Sequence, residues 1–272
     1  MQEKYLYRKI TTLIKGQNLG GITRYISPAY YGQLTKPFVF LDYVRILPNQ
    51  PLPKFGFHPH SGIATLTFML EGESWYEETS GKKGILNEGD IEWMSSGGGV
   101  WHRGGPQSPP VRGFQLWIAL PPEQESSPPR SQYIKKDDIP QEGSATVLLG
   151  RYGSSHSPVQ TPVDINYLSV TLEKNQRWVY EPPADHDVAW LLLYEGNLLV
   201  GEQYIKQGEL AVFEANTKSI ELIAEQHAGF IFGSAPLHPY PLVTGDYSVH
   251  TSPQSLIEGE KKIAQIAQEF NL

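Results

Sequence analysis

Two distant stretches of this chain carry the same punctuation. Leu70-Glu71-Gly72 is followed by Gly89-Asp90-Ile91-Glu92-Trp93, and further on Tyr194-Glu195-Gly196 is followed by Gly208-Glu209-Leu210-Ala211-Val212. In both, an apolar run ends in Glu-Gly, a hairpin intervenes, and a Gly-acid turn starts the next run, where glycine supplies backbone angles other residues resist. Two tandem copies of one β-unit produce this pattern.

The runs around this repeat agree with it. PFVFLDYVRI, IATLTFML, GDIEWMSS, VRGFQLWIAL, INYLSVTL, VAWLLLYEG, GELAVFEA, SIELIAE and HAGFIFGS all read as short strands bounded by turn residues, and no long helix interrupts them. The 26 glycines and 22 prolines among 272 residues favour many turns, so the expected class is all-β. From Pro121 to Gly143 the chain is rich in Pro, Ser and charge and reads as a linker or surface connection. The expected domains are therefore residues 1–140 and 141–272. The second should end in a helix: Ser252-Pro253 suits an N-cap and first position, and Ile263, Ile266, Ala267 and Phe270 share one face.

Composition excludes several classes. The net charge is −7 and no basic run could track a phosphate backbone, so direct nucleic-acid binding is not expected. With no cysteine, thiolate ligands and thiol nucleophiles are absent, and any metal falls to His, carboxylate or water. The start, MQEKYLYRKITTLIKGQ, lacks a signal-peptide core, and Ala189 to Tyr194 is far too short to span a bilayer. A cytoplasmic protein with no membrane contact is the expectation.

The chemistry concentrates in Phe57-His58-Pro59-His60-Ser61-Gly62 and in Val100-Trp101-His102-Arg103. Alternation along an uninterrupted strand puts His58 and His60 on one face with Gly62, Ala64, Leu66, Phe68 and Leu70. Thr65, Thr67 and Met69 are then expected outside. Two imidazoles turned into an apolar interior need hydrogen bonds or a ligand, and a divalent metal satisfies both. His102 follows the flexible run Ser96-Gly97-Gly98-Gly99, which can deliver it to the same place. Three neutral imidazoles accept Fe, Ni, Cu or Zn, while an isolated His-x-His is as often a pair of ordinary structural residues.

At these residues the chain resembles the pirin family. Pro37-Phe38-Val39-Phe40-Leu41-Asp42, His58-Pro59-His60-Ser61-Gly62 and Gly89-Asp90-Ile91-Glu92-Trp93-Met94 are similar, in order, to its characteristic blocks. The resemblance extends through Tyr194-Glu195-Gly196 and Gly233-Ser234-Ala235-Pro236-Leu237 to the end. It implies two tandem cupin barrels of jelly-roll type with a C-terminal helix. It also implies one divalent transition metal, iron first, held in the first barrel by His58, His60 and His102. No metal is implied in the second barrel, where His186, His227, His238 and His250 read as structural or surface residues.

By the same resemblance, one function is a quercetin 2,3-dioxygenase acting on flavonols, with Leu66, Phe68, Trp93, Phe114 and Leu116 as candidate pocket residues. The alternative is a non-catalytic regulatory or ligand-sensing protein that meets a protein partner. Departures from the family pattern keep that alternative open. Where the family has Glu two residues after the third histidine, this chain has Gly104; where other cupins have Glu after His-x-His, it has Ala64. Tyr76-Glu77-Glu78 replaces a His-x-Asp, and its acidic pair reads as solvated surface.

Overall fold

The structure is a computed structural model and describes residues 7–53 and 55–272. Its strands longer than two residues are, in chain order, β1 (Ile10–Lys15), β2 (Ile22–Ile26), β3 (Phe38–Ile46), β4 (Phe55–His60), β5 (Ile63–Glu71), β6 (Ser74–Glu78), β7 (Lys83–Leu86), β8 (Ile91–Ser95), β9 (Val100–Pro106), β10 (Val111–Ala119) and β11 (Arg130–Ile134). Then follow β12 (Ala145–Leu149), β13 (Asn166–Leu172), β14 (Arg177–Tyr180), β15 (Val188–Glu195), β16 (Asn197–Val200), β17 (Gln203–Lys206), β18 (Glu209–Phe213), β19 (Ile220–Ala224) and β20 (Ala228–Ala235). A helix, Pro253–Phe270, closes the chain.

Two barrels result, each of two sheets among the described residues. The first has the order β11-β8-β5-β10-β3-β2, facing β4-β9-β6-β7; the second has β1-β18-β15-β20-β13-β12 and β14-β19-β16-β17. Each large sheet is extended at its last edge by a two-residue strand. The two orders are the same order, as the repeated punctuation requires. Gly89 and Gly208, which open the matching strands β8 and β18, have φ of 85° and 81°, values a side chain resists.

The units differ from contiguous halves at both ends. One combines the residues up to Gly16 with Ile139–Leu237, the other Gln17–Asp138 with His238–Leu272. β1 therefore pairs with β18, in the edge position that β11 holds in the first barrel. The return segment from His238, helix included, belongs to the first barrel rather than to the second. The segment from Pro121 is also more than a linker: it contains β11, whose regular pairing with β8 its Pro- and Ser-rich flanks conceal.

The helix begins as its sequence suggests, with Pro253 at the first position and the Ser252 hydroxyl accepting from the Ser255 N–H at 3.1 Å. It is tied to the barrel by the Trp101 indole, whose Nε1–H donates to the Ile263 carbonyl at 2.8 Å. Phe270, on the expected packing face, is half exposed instead. Beneath the helix, the buried Ser61 hydroxyl lies 2.8 Å from Ser248 Oγ and 3.0 Å from His250 Nε2. A Cβ on Gly259 would lie 2.6 Å from both Ser61 Oγ and His250 Nε2, so only glycine lets the helix sit this close. No helix among the described residues is long and apolar enough to cross a membrane.

Candidate metal centre

β4 and β9 pair antiparallel with His58 opposite His102 and His60 opposite Val100. Directly opposite residues share a face, so His58, His60 and His102 converge. Their ring centroids lie 4.4 Å (His58–His102), 4.9 Å (His60–His102) and 5.1 Å (His58–His60) apart, and one ring nitrogen from each lies within 4.8 Å of the others.

Hydrogen bonds orient two of the rings. His58 Nδ1 lies 2.9 Å from the Gly56 carbonyl and His60 Nδ1 2.9 Å from the Tyr247 carbonyl, so each Nδ1 carries its proton and each Nε2 keeps its lone pair. His102 Nε2 is enclosed without a protein partner. Burial holds all three below the ordinary imidazole range, His60 at about 3, and each of His60 and His102 is further lowered by its histidine neighbours. Neutral rings with inward lone pairs are what a divalent transition metal requires, so these residues fit such an ion. The Tyr247 carbonyl comes from the return segment, and no signal in the sequence pointed to it.

The cluster lies at one pole of a cavity of about 270 Å³. Trp117 stands edge-on to His60, with centroids 4.9 Å apart, and stacks on Phe40 at 4.2 Å. The rest of the wall departs from the sequence-based expectation. Ser61 and Gly62 lie between β4 and β5, and Gly62 has φ 73° with Val249 O only 2.2 Å from where a Cβ would be. That bend reverses the alternation. Thr67 and Met69 line the cavity, whereas Leu66, Phe68, Trp93 and Leu116 are buried without bordering it. Of the five expected pocket residues only Phe114 touches it.

In their place a polar row crosses the sheet. The strand pairings put Tyr133 opposite Glu92, Glu92 opposite Thr67, Thr67 opposite Gln115, Gln115 opposite Asp42, and Asp42 opposite Arg24. Arg24 grips Asp42 with two hydrogen bonds of 2.8 and 2.9 Å. Thr67 Oγ1 lies 3.0 Å from both Glu92 Oε2 and Gln115 Oε1, and the Tyr133 hydroxyl, shared with the nearer Glu78, lies 3.2 Å from Glu92 Oε1. Burial drives Glu92 up to about 7; Glu78 adds repulsion, while the Thr67 and Tyr133 hydrogen bonds oppose the rise. Glu92 was legible only as part of a motif. The unbroken alternation assumed through Gly62 hid the row.

Two acidic positions also differ from expectation. Glu78 is buried, accepting from Ser80, Ser131 and Tyr133, while Glu77 pairs with Arg103 at 2.6 Å. Gly104 lies opposite Tyr76, and a Cβ there would be 2.6 Å from the Trp75 carbonyl oxygen. The backbone itself excludes a glutamate at that position. In the second barrel His186 is buried with Nε2 3.4 Å from Asp164 and His227 is exposed beside Glu173, whereas His238 and His250 are buried in the return segment of the first barrel.

Comparison with known proteins decides the family. The family model described as Pirin matches residues 22–118. A pirin-like protein of Solanum lycopersicum is 31% identical over 99% of this chain and 92% of its own length. This chain belongs to the pirin family. Another relative, a Vibrio cholerae protein provisionally named a quercetin 2,3-dioxygenase, is 32% identical over 71% of this chain and 72% of its own. Among solved structures, a quercetin 2,3-dioxygenase from Acinetobacter baumannii superposes with TM-score 0.86 at 23% identity, covering 95% of this chain and 97% of that one. A bacterial pirin from Escherichia coli in complex with nickel(II) gives TM-score 0.65 at 20% identity, covering 84% and 99%. At these identities the two structures speak to the cupin fold alone.

Proposed function

We propose that this pirin holds one divalent transition metal through His58, His60 and His102 and uses the adjoining cavity to bind and oxygenate a planar hydroxylated aromatic compound of the quercetin class. The observation that carries the reading is the convergence of three neutral imidazoles, one with an enclosed and unpartnered nitrogen, on a partly apolar cavity. A transition metal bound there supplies Lewis acidity toward a ligand oxygen and one-electron chemistry toward dioxygen. Trp117 and Phe40 line the cavity as apolar wall for a flat ring, and Arg24 pairs with Asp42 on the same wall. At about 270 Å³ the cavity sits near the lower end of small-molecule sites, roughly 300 Å³, and suits one planar molecule.

The names of the Vibrio and Acinetobacter proteins support the substrate class, and the nickel complex of the Escherichia pirin supports the metal. The test is metal analysis of tag-free protein followed by oxygen uptake with quercetin. The expected result is one metal per chain and uptake that His58→Ala with His102→Ala removes while the protein stays folded. A wild-type protein that takes up no metal when offered Fe, Ni, Cu or Zn overturns the reading. A second reading, a ligand-binding pirin without turnover, is favoured by Gly104, because the backbone there cannot carry a carboxylate toward the histidines. Metal binding and quercetin binding without oxygen uptake would select it.

A further inference from the structure

The wall of the first cavity contains a feature that metal binding does not use: a buried carboxylate and an amide with one unpartnered end, joined through a single hydroxyl. Glu92 is 4% exposed on that wall, and Gln115 Nε2 is enclosed with no protein partner. Thr67 Oγ1 lies 3.0 Å from an oxygen of each but has one proton to give. When Glu92 is ionised, the hydroxyl turns to it. When Glu92 is protonated, it can donate to Thr67, which turns to Gln115. In either state one polar end of Gln115 is left for a ligand, since turning the amide over only exchanges which end that is.

We propose that Glu92 and Gln115 form a ligand-ionising subsite, selective for ligands that carry an acidic hydroxyl, phenolic or enolic, beside a second oxygen. This deepens the function proposed above and rests on it for the ligand class. The ligand O–H bond breaks, its electron pair stays on the ligand oxygen, and the proton forms the O–H of the Glu92 carboxyl. Gln115 hydrogen-bonds the neighbouring oxygen. The step needs no oxidant, and it leaves an anionic oxygen in the same cavity as the three imidazoles.

The surroundings suit a group that works in both protonation states. Glu78 faces Glu92 through the shared Tyr133 hydroxyl, Tyr76 stacks on Tyr133 at 4.0 Å, and Lys82 stands 5.7 Å from the Tyr133 ring. Further along the row, Asp42 is neutralised by Arg24. Burial and the Glu78 charge favour a protonated Glu92; the Thr67 and Tyr133 hydrogen bonds favour an ionised one. Gly104 explains why this task falls to another strand, since the strand carrying His102 has no room for a carboxylate.

The test is to bind quercetin, and its 3-O-methyl ether with the relevant hydroxyl blocked, to the full chain and to Glu92→Gln, Glu92→Asp and Gln115→Leu at matched metal content. Absorption of the bound flavonol reports its ionisation from pH 5 to 9. The wild type should bind quercetin as the anion near neutral pH. Glu92→Gln should bind the neutral form and weaken affinity at least about tenfold, the scale of one charge-assisted hydrogen bond, while the ether changes less than about twofold. Glu92→Asp should recover part of the ionisation, and Gln115→Leu should weaken quercetin without shifting its ionisation. An unchanged spectrum and affinity in Glu92→Gln overturns the subsite. Ionisation that depends on Glu92 without oxygen uptake overturns the oxygenase reading and leaves the subsite standing. A wild type that binds neither compound overturns both.

Discussion

The two barrels are built on one strand order and differ in what fills them. In the first, the row across β8, β5, β10 and β3 is Glu92, Thr67, Gln115 and Asp42. In the second, the matching row across β18, β15, β20 and β13 is Ala211, Leu191, Phe232 and Leu168, all fully buried. The repeat fixes this correspondence from both sides, because Thr67 and Leu191 each lie four residues before the Glu of Glu-Gly, and Glu92 and Ala211 each lie three after the Gly of the turn. Where β4 and β9 place His58 against His102, β14 and β19 place Trp178 against Leu222 and Tyr180 against Ile220. One scaffold is closed by Trp178, Phe230 and Phe232 packed edge to face, with ring centroids of Trp178 5.4 Å from both phenylalanines. The other keeps its interior open by setting polar groups where those rings would be.

The comparison is most exposed at position 232. Phe232→Gln copies the Gln115 side chain into a filled core, where it removes ring packing and buries an amide without partners; the expected loss is at least about 4 kcal/mol in urea unfolding. The reciprocal change in the first barrel, Gln115→Leu, nearly conserves volume and should move stability by less than about 1 kcal/mol. Equal losses would mean that the two interiors are packed alike and that the cavity is not a real difference.

A smaller effect separates the rows by pH. The folded Glu92 sits at about 7 against an ordinary value of 4.5, so the folded protein holds that proton more tightly than the unfolded chain does. Its stabilising effect is complete below pH 4.5 and is lost as pH rises through 7. Glu92→Gln, which cannot ionise, should therefore match wild type below the lower value and exceed it above the higher one, by up to about 3 kcal/mol. The check is unfolding free energy from pH 4 to 8. Ala211 has nothing to titrate, and Ala211→Ser should show no such slope.

Smallest is the effect at Gly104. Gly104→Ala forces a Cβ against the Trp75 carbonyl and should destabilise by about 1–2 kcal/mol, whereas Gly56→Ala, with nothing within 4 Å, should be close to neutral. Gly104→Glu should for the same reason fail to raise metal affinity above wild type in a chelator competition. Tighter binding would show that the β6–β9 strands yield easily and that the absent carboxylate is not enforced by the backbone.

Much of this was legible in the residues. Short alternating runs and the doubled Glu-Gly and Gly-acid punctuation require local backbone geometry only, so the strands and their pairing into two like units follow from them. His58 and His60 were legible as a pair for the same reason, within one strand. What escaped were properties of contacts between segments far apart in sequence. Leu66 and Phe68 looked like pocket residues because nothing in the alternation marks the reversal at Gly62, which Val249 and His250 of the return segment hold in place. Glu78 looked solvated because Ser131 and Tyr133, which bury it, lie within the stretch that read as a linker.

The sequence by itself thus determined the class, the doubling of the β-unit, the helix with its Ser252-Pro253 start, and the pairing of His58 with His60 on one face, because each is a matter of period and local conformation. Tertiary structure alone decided which terminus completes which barrel, which face of β5 sees the cavity, and that Glu92 is held near neutral pH. Those depend on which backbone closes over which, and burial is created only when distant strands come together.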